Sequence, residues 1–187
     1  MGEIRPQSGF REEVEAKAGS SLSACFQCHK CAAGCPLAAA FDLRPDQLIR
    51  HVQLGQRERV LRSATIWLCA GCATCATRCP NGVELPALMD VLKQMALAAG
   101  TEPPGAGRGV ALMQRLFLED IARRGRVHEL SLIARYKLVS GGLADDLALG
   151  WQMLRRGKLR LLPPRRIKGR DEVRRLLSEE RRPGAKS

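Results

Sequence analysis

The chain has 187 residues, 45% of them hydrophobic, with a formal net charge of +12. No run of 18 uncharged apolar residues occurs, so no transmembrane segment is expected, and the length allows one moderate core or a small domain with an extension. Two Trp, one Tyr and four Phe leave few stacking positions for nucleic acid, while the abundance of Ala, Leu and Arg predicts an all-α protein.

The first 22 residues read as an N-terminal arm whose ordered part is a short acidic helix over 10–18. A cysteine run follows: Cys25, Cys28, Cys31 and Cys35, then Pro36. Pro45 with Asp46 behind it makes a good first helical turn, and Leu48, Ile49 and Val52 give that helix an apolar face before Gly55. A second short helix over 56–63 leads through Ile66 and Trp67 to another run. This one is Cys69, Cys72, Cys75 and Cys79, then Pro80. Pro86 then repeats the role of Pro45, and Leu88, Val91, Leu92 and Met95 form an amphipathic stripe that ends before Gly100. Residues 101–109, TEPPGAGRG, read as a linker or sharp turn. Beyond it, Val110, Met113, Phe117 and Ile121 share a helical face that Leu112, Leu116 and Leu118 widen. Helices over 127–139 and 143–156 are expected next. Leu159, Leu161, Leu162, Pro163 and Pro164 suit an extended contact segment, and a basic helix over 171–181 ends the pattern. The expected organisation is thus an arm at 1–22, a cysteine-bearing domain at 23–100 and a helical extension at 101–187.

Both cysteine runs read C-x2-C-x2-C-x3-C-P, 44 residues apart, and together they use all eight cysteines. This is the bacterial 4Fe-4S ligand run, in which each iron corner of a cubane takes one soft thiolate. Structural zinc wants paired C-x2-C units and would leave the third cysteine of each run idle. A disulfide framework suits a short secreted chain, and a catalytic thiol needs a cysteine that is not already a ligand. Two 4Fe-4S clusters are therefore expected. Ala32, Ala33, Gly34, Ala70, Gly71, Ala73 and Ala76 are small enough to let backbone wrap an inorganic core, with amides free to face its sulfides. Phe26 and Trp67 are candidate water shields, although packed core is the commoner role for such residues; Lys30 and Arg78 could raise the potential of a neighbouring cluster, although a solvated side chain is the commoner role. His29, His51 and His128 form no metal-ligand pair, and no phosphate loop, nucleophile elbow or flavin fingerprint is present, so no substrate site is expected on this chain.

Charge is unevenly spread. Residues 1–100 carry 11 Lys and Arg against 9 Asp and Glu, whereas residues 101–187 carry 20 against 10. Without stacking aromatics, docking on an acidic partner protein is a better use of that excess than nucleic-acid binding.

The two loops, CFQCHKCAAGCP and WLCAGCATCATRCP, precede a helical tail with YKL at 136–138, MLRRGKL at 153–159 and LLPPRRIKG at 161–169. In this order the sequence resembles the C subunit of heterodisulfide reductase and its bacterial relatives, over roughly residues 23–177. The resemblance implies an α-helical dicluster ferredoxin fold with a helical C-terminal extension. It also implies a relay role, passing electrons between a flavin-bearing A-like subunit and a B-like catalytic subunit that reduces a disulfide. A freestanding ferredoxin-like carrier or redox-sensing adaptor is the alternative, and the long basic extension argues against it. In two-cluster ferredoxins the fourth cysteine of each run serves the other cluster. Carried over, Cys25, Cys28, Cys31 and Cys79 would hold one cluster, and Cys69, Cys72, Cys75 and Cys35 the other. The expected compartment is the cytoplasm of an organism living with little oxygen.

Overall fold

The computed structural model describes residues 7–141, 147–158 and 167–180, and all regular structure in them is helical. The chain divides into two compact units, Met1–Val110 and Ala111–Ser187.

In the first unit, helix α1 (Phe10–Ala18) buries Phe10 and Val14. Its polar face is tied by Glu13, whose Oε2 accepts from Arg57 Nη1 at 2.7 Å while the same guanidinium lies 5.3 Å from the Phe10 ring centroid. These contacts hold Glu13 below the usual carboxylate range, chiefly through hydrogen bonds from Lys17 and Arg57. Two short helical pieces, α2 (Lys30–Ala33) and a 3-10 turn at Ala38–Ala40, follow the first cysteines. Helix α3 (Pro45–Gln53) starts at its proline as predicted, with Gln47 Oε1 accepting from the Arg44 amide at 3.0 Å, and buries Leu48, Ile49 and Val52. Helices α4 (Arg57–Leu61), α5 (Thr65–Leu68) and α6 (Thr74–Arg78) are one to two turns each.

Helix α7 (Leu85–Ala98) is the centre of this unit and packs on α1, α4, α5 and α6. Its buried side chains include the whole predicted stripe, Leu88, Val91, Leu92 and Met95. Fully burying a side chain of this size contributes roughly 1.5–3 kcal/mol. The short helices that carry the cysteines therefore rest on a firm apolar support.

Helix α8 (Ala106–Arg124) begins inside the stretch expected to be a linker. The reason is close packing: Gly107 lies against the first unit's own core, and a Cβ there would stand 3.3 Å from Pro103 Cβ and 3.5 Å from Trp67 Cβ. Part of the stretch is thus helical and lies against Pro103, Ala64 and Trp67. Trp67 itself is core, whereas Phe26 is 75% exposed, so of the two candidate shields neither lies in a half-covered position.

In the second unit the buried register of α8 differs from the predicted face. Leu116 and Asp120 are buried, while Phe117 and Leu118 are exposed. Asp120 turns the helix because its carboxylate is satisfied inside: Oδ1 accepts from Arg135 Nη1 at 3.2 Å and Oδ2 from Ser131 Oγ at 3.3 Å. Both donors lie on α9 (Glu129–Ser140), which is capped by His128 Nδ1 accepting from the Ser131 amide at 3.3 Å. Helices α10 (Leu147–Arg155) and α11 (Arg170–Glu180) complete the described part. The expected contact segment at 159–164 lies outside the described residues.

Candidate metal centre

The two cysteine loops repeat one another in backbone as well as in sequence. Gln27 and His29 have φ of 55° and 60°; 44 residues on, Gly71 and Ala73 have φ of 64° and 58°. Gln27, His29 and Ala73 are the left-handed non-glycine residues among the described residues, and all three sit between cysteines of the two runs. Left-handed backbone costs a side-chain-bearing residue roughly 1–2 kcal/mol, so each loop holds a shape that its isolated sequence would not choose. Each then enters a short helix at the same register, α2 at Lys30 and α6 at Thr74, and the two helices pack together. Gly34 makes that approach possible, because a Cβ there would stand 2.7 Å from Arg78 Cδ. Arg78 is thereby a packing contact between the loops.

Among hydrogen bonds between described residues, the amides of 26–32 and 70–76 donate to no backbone carbonyl. Those of Ala32 and Ala76 lie instead against the thiols of Cys31 and Cys75. Loops whose amides donate to no backbone carbonyl, with thiols beside some of them, can cradle an electron-rich group.

Cys35 of the first run borders the second loop. A shallow hollow, partly open to solvent, is lined by Cys69, Cys72 and Cys75 together with Cys35 of the first run. In the opposite direction, Asn81 Nδ2, two residues past Cys79, donates to the carbonyl of Ala24, beside Cys25. The Glu84 amide also donates to Ser20 Oγ at 3.1 Å, and the Val83 amide points at Cys79 Sγ at 3.3 Å. None of the eight cysteines is in a disulfide. Their side chains are partly covered except at Cys28 and Cys72, the second cysteine of each run, which are exposed.

The thiols differ in proton affinity. Burial pushes Cys31 up to about 11, with the nearby Asp46 carboxylate and Cys25 adding to it and the Ala32 amide opposing it. Cys75 is raised by burial in the same way, whereas exposed Cys72 is lowered by the hydroxyl and amide of Thr74. Half-buried thiols that hold their protons this firmly bind metal by exchanging proton for iron. Eight soft donors in two groups of four fit two cubanes, one thiolate per iron corner.

Residues outside the motif complete the cradle. Asp42 reaches the entrance of α5, accepting from Ser63 Oγ at 2.6 Å, the Ala64 amide at 2.9 Å, the Thr65 amide at 3.0 Å and Thr65 Oγ1 at 2.8 Å. Burial would raise its carboxyl, but these donors outweigh it and hold it below the usual range. His29 Nδ1 lies 2.9 Å from Oδ2 of buried Asp46, while Arg44 Nε stands 3.6 Å from the other oxygen. His51 pairs with Gln56 and His128 caps α9. Asp42, Asp46 and Asn81 carry no sequence signal beyond lying within a few residues of a cysteine–proline step or a helix start.

Residues 24–84 match the family described as the 4Fe-4S dicluster domain. The chain carries a dicluster domain. It holds two 4Fe-4S clusters. Over 95 residues the chain is 33% identical to the C subunit of the H(2):CoB-CoM heterodisulfide,ferredoxin reductase of Methanothermobacter marburgensis, covering 51% of each chain. It is 34% identical over 80 residues to the iron-sulfur C subunit of the CoB–CoM heterodisulfide reductase of Methanopyrus kandleri, covering 43% of this chain and 42% of the relative. It is also 34% identical over 90 residues to the C subunit of the ferredoxin:CoB-CoM heterodisulfide reductase of Methanosarcina acetivorans, covering 48% of this chain and 36% of the relative. The chain thus spans about half the length of the curated relatives it matches.

Proposed function

We propose that this chain is the electron-relay subunit of a heterodisulfide reductase-type complex, working between an A-like flavin subunit and a B-like disulfide-reducing subunit. The observation that carries it is a dicluster domain in a chain that is 33% identical over 95 residues to a heterodisulfide reductase C subunit. When bound, the clusters supply one-electron storage and transfer.

The chain's own residues bind, insulate and join the two sites. One cluster is assigned to Cys25, Cys28, Cys31 and Cys79, the other to Cys69, Cys72, Cys75 and Cys35. The hollow shared by Cys35 with the second loop, and the Asn81 anchor on Ala24, support that crossed assignment. Crossed ligands make both sites parts of one folding unit, so they are held close at fixed spacing. The α7 core sets their common support, and the α2–α6 contact keeps the loops together. Cys28 and Cys72 mark the exposed sides at which an electron partner can approach. Among the described residues, no helix is long and apolar enough to cross a membrane.

The domain organisation follows the same division of labour. Residues 23–100 bear the ligands, and the extension beyond them is assigned to docking. Leu138, Val139 and Trp151 in the second unit are each at least 60% exposed, which suits a surface completed by another protein of the complex.

Anaerobic affinity purification from the native host tests the proposal. A flavoprotein and a second cysteine-rich protein should copurify with this chain at fixed stoichiometry. Isolation as a lone, iron-replete carrier would instead assign it to a diffusing ferredoxin-like role.

A further inference from the structure

We propose that Gln27 makes the two clusters unequal in potential, by donating from its side-chain amide to the sulfur of Cys25. Gln27 Nε2 lies 3.5 Å from Cys25 Sγ. The inference rests on the assignment of Cys25 as a ligand.

Backbone alone would not select glutamine here. With φ of 55°, position 27 favours glycine, and the equivalent position of the second loop is Gly71 with φ of 64°. Keeping a side chain at 27 carries a conformational cost that glycine avoids. Unlike Ala73, whose methyl reaches no partner, Gln27 at its strained position has a side chain that reaches a cysteine sulfur. Space does not explain the difference either, since a Cβ at Gly71 would meet nothing within 4 Å.

Chemistry supplies the use. A thiolate can only accept, so the glutamine must present its N–H to the sulfur. A donor to a ligand sulfur stabilises added negative charge, and hence the reduced state more than the oxidised one. The loop bearing Gln27 therefore acquires an upward bias in potential that Gly71 cannot give its own cluster. Other donors act at their own sulfurs: Thr74 Oγ1 lies 3.5 Å from Cys72 Sγ, and the Val83 amide 3.3 Å from Cys79 Sγ. Neither depends on position 27, so both stay constant when Gln27 is changed.

The test is a redox titration of the full-length, iron-loaded protein, following the spectra of the two reduced clusters separately. Gln27→Gly relieves backbone strain and removes the donor. Gln27→Met removes the donor but keeps the bulk that screens water. Both variants should retain parental iron and sulfide and lower the midpoint of one cluster, leaving the other unmoved. Parental midpoints in Gln27→Met, or an equal shift of both clusters in Gln27→Gly, would overturn the proposal. Cys25→Ala separates this from the ligand assignment. If it keeps both clusters, Cys25 is not a ligand and both ideas fall. If it loses one cluster while the Gln27 variants titrate as the parent, the Gln27 proposal falls alone.

Discussion

His29 and Ala73 occupy the same place in the two loops, at φ of 60° and 58°, yet their side chains face different demands. Ala73 contributes little that glycine lacks, so Ala73→Gly should relieve strain and stabilise the loaded protein by about 1 kcal/mol. His29 offsets its strain by pairing with Asp46, which is 2% exposed. Removing it strands a buried carboxylate oxygen at a cost of roughly 1–3 kcal/mol. His29→Gly should therefore destabilise, despite being the same kind of backbone change. Thermal melts of the two iron-loaded variants check this: the midpoint should rise for Ala73→Gly and fall for His29→Gly. A rise for both would mean that the His29–Asp46 contact contributes nothing. The sequence shows cysteine spacing plainly because ligand geometry restricts residue type. It does not show Asp46 as a partner of His29, because that contact spans 17 residues and depends on how α3 is laid against the loop.

At the scale of elements, the loops are positioned from across the repeat. Asp42 follows the first run but caps α5, which delivers Cys69. Its folded carboxyl lies below the usual range, whereas in the unfolded chain it titrates at about 3.9. A depressed carboxyl contributes stability that is fully present above the unfolded value and is lost as pH falls through the folded one. Between pH values of about 5.5 and 8 that contribution is constant. Asp42→Ala should thus lower stability by about 1–2 kcal/mol, the usual scale of a lost helix cap, and by the same amount across this range. Melts at several pH values measure it; a loss that disappears toward pH 5.5 would show that Asp42 acts by titration rather than by capping. The ligand loops make a parallel prediction. Cys35→Ala should bleach the cluster of Cys69, Cys72 and Cys75, and Cys79→Ala that of Cys25, Cys28 and Cys31. Resolved spectra of each mutant report which cluster is lost, and damage confined to the mutated run's own loop would sink the crossed assignment. Helices α3 and α7 were legible because proline starts and apolar stripes are local signals. The face of α8 was not, since a buried Asp120 held by Arg135 and Ser131 looks like a solvent position until α9 is in place.

For the whole molecule, the limit of the first compact unit at Val110 bears on where the cysteine-bearing part ends and the extension we propose for docking begins. TEPPGAGRG looks like a hinge, and a cut after Gly100 looks harmless because all eight ligands survive. Yet Pro103 is buried, and Gly107 lies within van der Waals reach of Ala64 and Trp67, two residues that precede Cys69 on α5 and its entrance. Cutting at Gly100 would uncover Trp67, which is 3% exposed, and loosen the helix that delivers the second ligand loop. Ending the chain at Val110, the limit of the first compact unit, keeps that cover. Both truncated forms should bind about eight irons when loaded, as two cubanes require. The 1–100 form should melt lower and release iron faster than the 1–110 form, whose stability should approach that of the full chain. Both should lose association with flavin-bearing and disulfide-reducing partners, because the exposed apolar positions of the second unit are gone. Salt should also weaken full-length association if the basic residues beyond 100 contribute by charge. Iron counts, melts and pull-downs on the three chain lengths give independent readouts. Equal melting of the 1–100 and 1–110 forms would refute the structural role of the Gly107 contact. Retention of partners by the 1–110 form would move the docking surface onto the dicluster domain itself.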